Sequence, residues 1–150
     1  MGDARGDQST VWEASGFLLM VRHPRPQFLL MQHVDRWDLP KGHAEGDEAI
    51  LETALRETEE ETGISRDLIE VAPHFRFVTE YRVEGKRRGS YDKRVTYFLG
   101  FLREKPTIAA TEHLGHRWWD WPPREPIQAK TIDPLLAALA EHFEKYPEQL

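Results

Sequence analysis

The chain has no cysteine. Disulfides, thiolate metal sites and cysteine nucleophiles are therefore excluded, and any metal must be held by oxygen or imidazole. No apolar run reaches the length a bilayer span needs, and the opening residues MGDARGDQST lack the apolar segment of a secretory signal. These absences predict a soluble, cytoplasmic protein with no membrane partner. Excess positive charge is also missing. With 20 Lys and Arg against 26 Asp and Glu, the net charge is −6, which argues against broad nucleic-acid binding but leaves room for a small phosphorylated ligand held by a few local cations. No internal repeat or low-complexity tract is present, and nothing calls for an obligate protein partner.

What is there suits one domain. A chain of 150 residues, 39% hydrophobic, can bury one substantial core and is too short for two ordinary ones. Residues 1–10 are polar and predict a flexible tail, followed by a single domain over 11–150. Residues 14–22 and 27–32 are apolar runs separated by His23-Pro24-Arg25-Pro26, and they predict two strands about a turn. Trp37-Asp38-Leu39-Pro40 leads into Lys41-Gly42-His43, a predicted irregular loop. Further strands are expected over 71–83, 94–102 and 116–121, with a hairpin connection at 84–90. Asp133-Pro134 opens a last helix with an apolar stripe of Leu135, Leu136, Leu139, Ala140 and Phe143. Strands, helix, strands, helix predicts an α/β fold, a mixed sheet between helices.

The chemistry concentrates between the two halves. Residues 48–62 read as one helix, with Asp47 as N-cap and Gly63 as its left-handed terminus. That helix carries six glutamates, Glu48, Glu52, Glu57, Glu59, Glu60 and Glu61, against one arginine, Arg56. Its last turn should be basic, because the carbonyl end of a helix is the negative pole of its dipole. Glu57, Glu60 and Glu61 fall at i, i+3 and i+4 and share one face, while Leu51, Leu55, Thr58 and Thr62 form a separate stripe expected against the sheet. Like charges at that spacing repel. A divalent cation removes the repulsion, and clustered carboxylates without thiolates suit Mg²⁺, with Mn²⁺ as the second choice. A solvated acidic face is the plain alternative.

The spacing of Gly42, Glu48, Arg56-Glu57, Glu60-Glu61, Gly63 and Ile64 resembles the signature of the Nudix hydrolases, G-x5-E-x7-R-E-U-x-E-E-x-G-U, where U is bulky and aliphatic. Thr58 at the first U is the one departure. The resemblance implies a Nudix-type α/β/α sandwich and metal-dependent hydrolysis of a nucleoside diphosphate linked to another group. It also implies metal binding by Glu57, Glu60, Glu61 and the Gly42 carbonyl, with Arg56 orienting the acids and Glu48 in a supporting position.

Pro40-Lys41-Gly42-His43, residues 51–58, 93–99, Glu112-His113 and Arg117-Trp118 further resemble the asymmetrical diadenosine tetraphosphate (Ap4A) hydrolases of that family. By that likeness Lys41, His43, Tyr81 and Lys93 line the polyphosphate or base site, and Glu112 contributes near the metals. An aromatic residue that stacks a base in some relatives would fall near Lys130 or Thr131. The reaction implied is attack of water on the polyphosphate, diadenosine tetraphosphate giving ATP and AMP, with Glu57 or Glu112 as proton acceptor. Other substrates stay open, among them a diphosphoinositol polyphosphate, a nucleotide sugar or an oxidised nucleoside triphosphate, as does a nucleotide-sensing domain without turnover.

Overall fold

The computed structural model describes residues 11–85, 89–109 and 113–150. The described strands are β1 (Val11–Val21), β2 (Gln27–Gln32), β3 (Trp37–Asp38), β4 (Lys41–His43), β5 (Glu70–Val71), β6 (Phe77–Val83), β7 (Tyr91–Leu102) and β8 (Gly115–Asp120). Helix α1 (Ile50–Thr62) follows β4, and α2 (Asp133–Lys145) follows β8. The strands form one mixed sheet. β1 lies parallel to β7 over its whole length and antiparallel to β2 and β4, and the other pairs are antiparallel.

The period of two along β1 explains how one strand serves two cores. Ala14, Leu18 and Met20 pack with Phe28, Leu30, Leu99 and Phe101 beneath Leu135, Leu136, Leu139 and Phe143 of α2. Phe17, Leu19 and Val21 point the other way, to Leu29, Met31, Phe98 and the Ala54 and Leu55 side of α1. A strand covered on both faces reads as an unbroken apolar run. Each fully buried leucine or phenylalanine here contributes about 2 kcal/mol relative to exposure. The expected α/β/α layering is what the sheet and its two helices make.

Several boundaries differ from the sequence reading. Residues 71–83 do not form one strand; β5 and β6 are separated by a segment in which His74 has a φ of 72°. Lys41–His43 is a short strand rather than a loop, because β1 supplies partners for it at Ala14, Ser15 and Gly16. β7 starts at Tyr91, three residues earlier than its apolar core suggests, since Asp92 and Lys93 pair with Val11 and Trp12 of β1 and with Arg82 and Tyr81 of β6. The N-cap of α1 is Ala49, without a side-chain cap, and not Asp47. Its buried face comprises Thr53, Ala54, Leu55, Thr58 and Thr62, with Leu51 only half-buried. On α2, Ala140 is exposed and His142 takes the buried place, bonded to Gln149 at 2.8 Å. Gly63 does end α1 in the left-handed conformation, with φ 79° and its N–H donated to the Glu59 carbonyl at 2.8 Å.

Candidate active site

The acidic helix and β4 face each other across one cleft. Lys41, Gly42, His43, Glu57, Glu60, Glu61 and Lys93 line it, with a volume of about 470 Å³. The sheet brings these residues together. β4 pairs with β1, β1 pairs with β7, and Lys93 on β7 stands opposite Tyr81 on β6, with its Nζ 5.9 Å from the Tyr81 ring centre. Contact between β4 and α1 is close enough that a Cβ on Gly42 would overlap the Glu57 carboxylate. A Cβ there would require the Glu57 carboxylate to move.

Arg56 organises the acids. Its Nε and Nη2 donate to the two oxygens of Glu48 at 2.9 and 3.0 Å, its Nη1 donates to Glu57 at 3.0 Å and to Glu60 at 3.2 Å, and Nη2 also reaches the His43 carbonyl at 3.1 Å. One planar guanidinium thus ties α1 and Glu48, which precedes it, to the His43 carbonyl of β4. Glu48 is fixed further by Thr53 Oγ1 at 2.7 Å and the Glu45 N–H at 3.2 Å. The bonds from Arg56 and Thr53 hold its carboxyl down to about 2.

The other two acids behave oppositely. Burial pushes Glu61 up to about 7, with Glu57 and Asp38 adding repulsion, although Glu61 accepts the Lys41 N–H at 3.2 Å. Burial also raises Glu57, with Glu60 and Glu45 adding repulsion, against the lowering by Arg56. Carboxyls raised by burial, with neighbouring carboxylates adding to the shift, are ones whose charged form a bound cation would stabilise. The donor set is all hard oxygen and suits magnesium or manganese. Among the described residues, however, no three acidic or histidine side chains already converge as an ion cage. The three glutamates expected to share one face do line the cleft together, but Arg56 draws Glu57 and Glu60 to itself.

A second cavity adjoins the first through Lys41. About 540 Å³ in volume, it is lined by Trp37, Leu39, Phe77, Tyr81, Tyr97 and Pro134 together with the exposed Arg36, Lys130 and Thr131. Tyr81 is exposed by 45%, which leaves its ring open to a ligand. Lys130 and Thr131 stand at this cavity, where the sequence reading placed the missing aromatic. His43 leans edge-on against Trp12, with ring centres 5.7 Å apart. Trp119 and Trp121 pack against the α2-side core and Trp118 against the other, so they are packing residues. Glu112 lies outside the described residues, as does 86–88 of the basic connection.

One acid at the site was not found from sequence. Asp38 sits between Lys41 Nζ at 2.8 Å and His33 Nε2 at 3.4 Å. A lone aspartate before Leu-Pro carries no pattern, and although Lys41 lies only three residues on, the course of the chain from β3 into β4 is what brings the two side chains together.

Residues 11–143 match the family model described as the NUDIX domain. The asymmetrical bis(5'-nucleosyl)-tetraphosphatase of Rattus norvegicus is 36% identical over 117 residues, spanning 70% of this chain and 76% of that one. The Mus musculus protein of the same name is 35% identical over the same shares. A crystal structure of a C. elegans Ap4A hydrolase binary complex superposes with a TM-score of 0.75 at 24% identity, covering 89% of this chain and 98% of that chain. That likeness establishes the fold. No described helix is long and apolar enough to cross a membrane.

Proposed function

The chain belongs to the Nudix family, and we propose that it is a divalent-metal-dependent hydrolase of dinucleoside polyphosphates, taking diadenosine tetraphosphate and water to ATP and AMP. One observation carries the reading. An acidic cleft and an apolar, aromatic-walled pocket meet at a single lysine, Lys41. A phosphate chain with a nucleoside at its end has that same division into a charged part and a flat apolar part.

Glu57, Glu60, Glu61 and the Gly42 carbonyl would hold the metal. A bound divalent ion neutralises charge at the attacked phosphorus and acidifies water in its shell. The chain's own groups do the rest. Lys41, His43 and Lys93 bind phosphate oxygens along the cleft, Tyr81 stacks one base, and Arg56 keeps Glu57 and Glu60 oriented. Glu57 or Glu112 accepts the proton of the attacking water. Phosphoryl transfer needs mainly positioning and charge compensation, which fits a site built from fixed charges.

The presence of Arg36 and Lys130 among the lining residues favours a second reading, in which a more highly charged group such as a diphosphoinositol polyphosphate enters the apolar pocket. A panel of substrates with Mg²⁺ and with Mn²⁺, analysed for products, separates the two. ATP and AMP from diadenosine tetraphosphate, abolished by EDTA and restored by the metal, is the expected result. Preference for an inositol pyrophosphate or a nucleotide sugar overturns the substrate assignment, and turnover insensitive to EDTA overturns the metal.

A further inference from the structure

β3 is only two residues long, yet both of its sides are secured. On one side Met31 and Gln32 of β2 pair with Asp38 and Trp37. On the other, the Gln128 side chain accepts the Trp37 N–H at 2.8 Å and donates to the Trp37 carbonyl at 2.8 Å, as a neighbouring strand would. The Asp38 carboxylate is thereby fixed in place, and its side chain is only 13% exposed. Its Oδ1 accepts the Leu39 N–H at 2.8 Å, while Oδ2 faces Lys41 Nζ at 2.8 Å and His33 Nε2 at 3.4 Å.

Lys41 is therefore held at both ends, with its backbone N–H on Glu61 and its ammonium on Asp38. An ammonium has three donors and Asp38 occupies one, leaving others for a ligand. Without a fixed acceptor, a four-carbon stem bordered by two open cavities would sample many rotamers. Lys93 lines the same cleft, where burial and then repulsion from Lys41 hold its ammonium below the usual lysine range, whereas Asp38 acts in the opposite sense.

We propose that Asp38 is a positioning residue, which holds the Lys41 ammonium where the acidic cleft meets the apolar pocket and so sets the affinity of the site for a phosphate chain. The inference rests on the reading of Lys41 as a phosphate ligand. Its sign is distinctive. By charge alone, removing an aspartate beside an anion site should tighten anion binding; by positioning, removing it should weaken binding.

Inorganic tripolyphosphate, titrated by calorimetry into wild type, Asp38→Asn, Lys41→Met and the double variant, decides between them. Positioning through Lys41 predicts about tenfold weaker binding for Asp38→Asn in the wild-type background and less than about twofold in the Lys41→Met background. Unchanged or tighter binding, an equal loss in both backgrounds, or no tripolyphosphate binding by wild type overturns the proposal. Asp38→Ser, which keeps an acceptor for the Leu39 N–H, replaces the Asn variant if that one melts early, with the same two expectations. Diadenosine tetraphosphate turnover by wild type is measured alongside. Its absence would sink the substrate assignment while leaving the tripolyphosphate cycle to decide on Asp38.

Discussion

Gly42 on β4 and Glu57 on α1 are packed so closely that the carboxylate occupies the space a Cβ on Gly42 would need. The glycine is thus set by the acid. Gly42→Ala should push the Glu57 carboxylate away from the strand, lowering kcat by about a hundredfold, the scale of loss for a misplacement near 1 Å. Only the end of the Glu57 side chain has to move, so the stability loss in a urea titration should be about 1 kcal/mol or less. A variant with full activity would show that Glu57 can do its work from another position.

Glu61→Gln should trade activity for stability. Its folded carboxyl is raised from 4.5 to about 7, so the folded state binds more protons than the unfolded state between those values. Metal-free stability therefore falls as pH rises through that window and stays low above it. The glutamine removes this slope. It should stabilise the metal-free protein at pH 8 by about 1–2 kcal/mol, after allowance for solvent screening, while turnover falls at least a hundredfold. Urea titrations at pH 5 and pH 8 check the sign.

The pKa of Glu61 also predicts proton release. At pH 7 the metal-free carboxyl is about half protonated, and a metal must displace that proton. Mg²⁺ or Mn²⁺ titrations in two buffers of different ionisation enthalpy should give different apparent enthalpies. The difference should shrink at pH 8.5 and vanish in Glu61→Gln.

Arg56→Lys keeps the charge and loses the fork. Glu48, Glu57, Glu60 and the His43 carbonyl share that guanidinium, and an ammonium cannot reach all four in plane. About 2 kcal/mol of stability should be lost, with kcat reduced as Glu57 and Glu60 drift. Thermal melting and turnover, measured together, test whether both effects occur.

Thr58 stands where the family signature has an aliphatic residue, and its buried Oγ1 has no hydrogen-bond partner among the described atoms. Thr58→Val keeps the shape and removes an unsatisfied hydroxyl. It should raise stability by about 1 kcal/mol with unchanged turnover, read as an upward shift of the melting temperature. A loss of stability would mean that the hydroxyl has an acceptor after all.

Sequence periodicity carried the layers of the fold further than it carried their edges. β1 and β7 were legible because strands covered on both faces are continuously apolar. The short strands β3 and β4 were not, because two or three residues carry no period and owe their pairing to β1 and β2. The helical spacing of Glu57, Glu60 and Glu61 put them in one cleft correctly. It could not show that Arg56 would hold two of them while burial left Glu61 near neutrality, since both effects depend on what packs against the helix.

By itself, the order of residues determined the family signature, the acidic helix with its Gly63 terminus, and the apolar runs that build the sheet, because local spacing and period are written along the chain. Tertiary structure alone decided that Lys41 joins two cavities and that Tyr81 and Lys93 stand opposite each other. Those relationships depend on which strands become neighbours, and strand neighbourhood is a long-range property that no short window of sequence contains.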